Sequence, residues 1–262
     1  MSRPRNSKEK QRLQLKTVAL MNSLRIEIGA QNVGQFSEWI NQRTAHLGWP
    51  DMKESNKWYK YFKGDVGQEP RKVLRLLKDI FPKTLSLFNE GPARIWTAMW
   101  STNAETLWSI CGFSGCEHPD QYGNEQTCLT GQSLTFRESA YNFECSLLMK
   151  INFGEALELR DLSDSIAIYR LHQMINSIHR TDEVGPYRCV HICLDDTNIA
   201  YELEQLGIYE FIKNELINTE IARLKSEPCY RVNVGADDFD LYAYHPLLHC
   251  PLQERRAMLR VD

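Results

Sequence analysis

The stretch Ser55-Asn56-Lys57-Trp58-Tyr59-Lys60-Tyr61-Phe62-Lys63 gathers three ammonium groups, an amide and several aromatic rings into nine residues. Wound as a helix, it places Trp58, Tyr61 and Phe62 at i, i+3 and i+4, on one inward side. Asn56, Lys57, Lys60 and Lys63 then lie on the opposite side, with Tyr59 beside them. An asparagine amide can pair bidentately with adenine. A lysine can reach guanine acceptors or backbone phosphates in a major groove. Ser55 is placed to cap the helix, whose N-terminus could meet a phosphate. A purely structural alternative is an amphipathic helix whose lysines are only solvated.

Other chemistry-bearing groups are sparser. Cys111, Cys116, His118 and Cys128 fall within 18 residues, and thiolate with imidazole could form a tetrahedral zinc site. Their spacing matches no strong zinc pattern, and buried free thiols are the competing reading. Cys189, His191 and Cys193 would line one face of a strand. His245, His249 and Cys250 form a third group, and packing rather than ligation is the expected reading of both sets. The carboxylates Asp195-Asp196 and Asp237-Asp238-Asp240 could hold Mg²⁺ as a nuclease would. Helix capping accounts for the first cluster and a turn after Gly235 for the second. No G-x-S-x-G, H-E-x-x-H or glycine-rich phosphate cradle occurs. No catalytic residues and no cofactor are therefore expected.

The elements that must carry these groups read as mainly helical. Residues 9–28 have a broad apolar face and a stop at Gly29. A second helix is expected over 34–47, with Phe36, Trp39 and Ile40 at i, i+3 and i+4. The 54–63 helix ends at Gly64, and Pro70 opens another that Pro82 closes. Gly91-Pro92 marks a boundary between domains 1–91 and 92–262. Beyond it, Trp96 and Trp100 suggest a buried face, and 112–132 reads as a loop. Long helical patterns cover 134–150, 156–178 and 196–226. Val190, Ile192 and Leu194 alternate, as do Val232 and Val234, which predicts a small β-sheet.

Charge divides the chain at the same place. Residues 1–95 hold 18 Lys and Arg against 9 Asp and Glu, whereas residues 96–262 hold 13 against 25. A basic block on an acidic body is the electrostatic signature of a polyanion-binding module joined to a separate domain. Arg3, Arg5, Lys8 and Lys10 read as a flexible basic arm able to follow a phosphate backbone or a minor groove. No run of 18 apolar residues predicts a membrane span. Eight cysteines with no secretory leader point to reduced thiols and a cytoplasmic chain.

Residues 34–80 resemble the phage-repressor-like (Cro/CI, or XRE) helix-turn-helix family. Gln35, a DNA contact by this resemblance, and the Phe36–Ile40 run match the start of its second helix. Ser55–Gly64 match its recognition helix and stop, and Pro70 with Leu74 and Leu77 match the following helix. The connection from Trp39 to Ser55 is longer than the family's turn, and Phe62 stands where the family has an acidic residue. The resemblance implies a DNA-binding regulator, reading duplex DNA as a homodimer on two half-sites. An acidic, helical C-terminal domain would supply dimerisation, a protein-partner surface or a sensor pocket. The competing reading is a non-catalytic interaction subunit of a phage-defence or mobile-element system, using the basic domain on nucleic acid or protein.

Overall fold

The computed structural model describes residues 7–47, 49, 56–111, 143, 145–174 and 187–226. Among them the chain is helical and no strand occurs. No described helix is long and apolar enough to cross a membrane. The chain divides into two compact units. One is residues 1–92 together with 203–209, and the other is 93–202 together with 210–262.

The first unit is built on α1 (Ser7–Glu27), against which α3 (Lys57–Phe62) and α5 (Thr84–Glu90) pack. Leu13, Leu20, Met21 and Leu24 supply its inner face. The apolar pattern stops at Gly29, at φ +69°, and Arg25 donates to the Ala30 carbonyl to secure that stop. α2 (Val33–Thr44) is started by Asn32, whose Oδ1 accepts from Gln35 N at 3.0 Å. Gln35 in return accepts from Gln31 N at 2.7 Å. Two orphan amides are thus satisfied in the manner of a capping box. Phe36 and Ile40 are buried, and Trp39 stacks on Phe81 at 5.7 Å. A 3₁₀ turn (Ala45–Leu47) continues α2 to the predicted end. α4 (Arg71–Ile80) follows Pro70 and buries Val73, Leu74 and Leu77.

The second unit is organised around α8 (Leu159–Met174), which packs on α6 (Ile95–Trp100), α7 (Ala104–Ile110) and α9 (Arg188–Asp195). Every residue from Asp161 to Tyr169 is buried, so α8 has no solvated stripe. Most of its charged and hydroxyl groups are paired, and Ser163 Oγ is buried without a partner among the described residues. Asp161 binds Lys150 Nζ at 2.8 Å, Arg160 binds Asp164 at 2.8 Å, and Tyr169 donates to the buried Glu220 at 2.7 Å. Arg170 reaches the carbonyls of Met99 and Ser101 at the end of α6. Trp96 and Trp100 stack at 4.7 Å, 5° from parallel, and Trp100 Nε1 donates to Glu215.

Three expectations are corrected. Val190, Ile192 and Leu194 do not form a strand but lie in α9, where the six residues Cys189–Leu194 are all buried. Burial on all sides removes the inside–outside alternation that would select a strand, and such short apolar runs do not discriminate by period alone. The other half of the expected sheet, Val232 and Val234, lies outside the described residues. The helix expected over 196–226 is two helices, α10 (Thr197–Gln205) and α11 (Tyr209–Ser226). Gly207 between them takes φ +72°, and the amides of Gly207 and Ile208 return to Glu204 and Leu203. Lys8 and Lys10 stand in the first turn of α1 rather than in an arm. The apolar stripe that begins at Leu13 draws the preceding turn into the helix. Arg3 and Arg5 lie outside the described residues.

Candidate nucleic-acid interface

The outward face of α3 depends on how its inner face is held. Trp58 is 1% exposed. Phe36 of α2 meets both Trp58 and Phe62 edge-on, with ring centroids 5.3 Å apart in each case. Tyr61 contacts Trp58 at 6.2 Å, and burial raises its phenol pKa. These aromatic contacts fix the rotation of a helix only six residues long. Such a helix could not hold its shape alone.

The residues left facing solvent are Lys57, Tyr59, Lys60 and Lys63, with Tyr59 49% exposed. Among the described residues the side chains of the three lysines form no ion pair or hydrogen bond. The helix stops at Gly64, whose φ of +69° lets its amide return to the Tyr61 carbonyl. This matches the stop read from the sequence.

Asn56 occupies the N-cap position in the left-handed region, φ 51° and ψ 16°, with no side-chain capping bond. Its side-chain amide is not spent on capping the helix. The capping role expected for Ser55 is therefore revised. Asn56 precedes the first helical residue, and Ser55 lies outside the described residues. With only six residues, α3 offers a short dipole to the helix-end phosphate site expected at Ser55.

Gln35 is exposed at the start of α2, but its side-chain oxygen is engaged in the cap described above. The resemblance implies a DNA contact there, and the structure shows a capping role for an exposed side chain. Lys8 and Lys10 are exposed on α1.

The remaining constellations resolve into packing where they are described. Cys111 is buried, with its Sγ 3.9 Å from the Asp164 carbonyl oxygen, and burial pushes its thiol pKa far up. A metal needs the thiolate, which this environment opposes. Cys116, His118 and Cys128 lie outside the described residues, as do Asp237, Asp238, Asp240, His245, His249 and Cys250. Cys193 sits 3.4 Å from Ser165 Oγ, and burial raises its pKa to about 12. His191 Nδ1 lies 2.9 Å from Asp195 Oδ2, an i, i+4 pair on one helix. Asp196 Oδ1 accepts from Asn198 N and Ile199 N and caps α10, as the capping alternative anticipated. Among the described residues no group of three or more His, Cys, Asp or Glu could hold a metal ion.

Comparisons of the chain with protein-family models, curated proteins and solved structures return no match.

Proposed function

We propose that the chain is a DNA-binding transcriptional regulator of bacterial or mobile-element type that reads duplex DNA with α3. The observation that carries this reading is the outward face of α3. Three exposed lysines without a side-chain partner among the described residues, and the Asn56 amide at the N-cap, are presented by a helix whose rotation is fixed by Trp58. Lys57, Lys60 and Lys63 supply charge that polyanions attract. Asn56 supplies the paired donor and acceptor that distinguish adenine. The first unit's cationic surplus supports the same reading, since it supplies the sequence-independent part of affinity. The resemblance to phage-repressor-like proteins suggests that two copies act together on two half-sites. The acidic second unit is the natural candidate for the surface that joins them or that meets a protein partner.

The test is selection of a preferred duplex by the full chain, followed by retardation of preferred and random duplexes. Asn56→Gly is the informative variant, because glycine keeps the left-handed backbone without strain. It is expected to remove about 1–3 kcal/mol of preference for the selected sequence and leave random-duplex binding unchanged. Equal weakening of both duplexes would show that α3 is not the reading element. No binding at low salt would sink the reading altogether. Binding governed by charge alone, without sequence preference, would favour a non-catalytic interaction subunit.

A further inference from the structure

α4 has two faces of opposite character. Val73, Leu74 and Leu77 are buried against the core of the first unit. The exposed side carries Arg71, Lys72, Arg75 and Lys78, with Asp79 at its end. Arg71 Nε lies 3.4 Å from Glu69 Oε2 in an exposed pair, which contributes little. Among the described residues the side chains of Lys72, Arg75 and Lys78 form no ion pair or hydrogen bond.

Such a row does not help the isolated fold. The pairs 71/75, 72/75 and 75/78 are like charges at helical i, i+3 or i+4 spacing, and each opposes the helix by about 0.2–0.5 kcal/mol. A polyanion offsets that repulsion. At about 1.5 Å per residue, the row from 71 to 78 is roughly 10 Å long. One DNA strand presents a phosphate about every 3.4 Å of helix axis, so the row can reach roughly three phosphates. Two of the four cations are arginines, whose planar fork binds phosphate oxygens bidentately. The row carries no asparagine or glutamine, so it lacks the adenine-reading amide that Asn56 offers, while its guanidinium and ammonium groups suit the phosphate oxygens that make up most of a protein–DNA contact.

We propose that the exposed face of α4 is a second DNA-binding surface that holds the phosphate backbone of the same duplex. This rests on the reading of the first unit as a duplex-DNA binder. Its role is affinity without sequence preference, complementary to the α3 face. A residue-by-residue division of labour follows: Asn56 discriminates, and Lys72, Arg75 and Lys78 hold.

The test uses the full chain carrying Lys72→Gln, Arg75→Gln and Lys78→Gln together. Glutamine has a helix propensity close to those it replaces, and thermal unfolding checks that the fold is retained. Preferred and random duplexes are titrated from low to moderate salt. The triple variant is expected to bind both duplexes at least about tenfold more weakly, with the preferred-to-random ratio unchanged. The slope of log affinity against log salt should become shallower by about 2–3. An unchanged slope and affinity, with the native chain binding normally, would overturn the α4 proposal and leave the α3 reading standing. Weakening confined to the preferred duplex would overturn it too, by showing that α4 reads bases. A native chain that does not bind duplex DNA would overturn both.

Discussion

Trp58 shows how one residue sets the direction of its neighbours. Its ring is enclosed by Phe36 and Tyr61, and the outward phase of Lys57 and Lys60 follows from that enclosure. Truncating a buried tryptophan costs roughly 3–5 kcal/mol. Trp58→Ala should therefore lower the melting temperature of the first unit and weaken all DNA binding together. Unchanged melting would mean that the ring is not a core anchor. Asp164 makes a different case in the second unit. Burial raises its carboxyl pKa from 3.8 to about 6, against the opposing hydrogen bond and charge of Arg160. A carboxyl raised in the folded state contributes stability that is complete below about pH 4 and lost as pH rises through about 6. Stability of the second unit should thus fall across this window by an amount on the order of 3 kcal/mol that Asp164→Asn removes. Melting curves of native and variant chains between pH 4 and 7 would check this, and parallel curves would exclude it.

At the scale of elements, two corners of the first unit close on one side chain. A Cβ on Gly64 would lie 2.9 Å from Val18 Cγ2 and 3.1 Å from the Gln14 carbonyl oxygen. A Cβ on Gly207 would lie 3.1 Å from Val18 Cγ1. Gly29 shares the positive φ, but nothing lies within 4 Å of its Cβ position. Gly29→Ala therefore measures left-handed strain, about 1–2 kcal/mol, and Gly64→Ala adds the displacement of α1. The second variant should melt at a clearly lower temperature than the first. Equal shifts would show that α1 does not press on this corner. The glycine stops, the proline start of α4 and the aromatic side of α3 were all legible in the sequence, because each rests on a local rule. The Asn32–Gln35 cap was readable but overshadowed by a contact role for Gln35. The identity of α9 was not legible, since a run buried on every side has no period to read. The break at Gly207 was overlooked inside a long apolar pattern, where only the glycine marked it.

The two compact units of the whole molecule do not follow the chain in simple order. The basic unit takes in residues 203–209 from the far end of the sequence. Asn22 Nδ2 donates to the Leu206 carbonyl at 3.2 Å, and Arg25 donates to the Gln205 carbonyl at 3.4 Å. Gly207 meets Val18, and the segment carries the buried Leu203, Leu206 and Ile208. Nothing in local pattern announces such a return, because it pairs residues some 180 positions apart. The consequence concerns any attempt to isolate the basic module. A fragment ending at residue 92 leaves Asn22 and Arg25 without these acceptors, and it opens the side of α1 that Gly207 covers. Lost hydrogen bonds at about 1 kcal/mol each, with lost apolar burial, should lower its stability by about 2 kcal/mol or more. For a domain of this size that is roughly 10 °C in melting temperature. A fragment extended by residues 203–209 through a flexible linker should recover much of the loss. If the simple fragment melts with the first unit of the full chain, the returning segment contributes nothing to that unit. If the linked segment restores stability, the acidic half of the sequence completes the fold of the basic half.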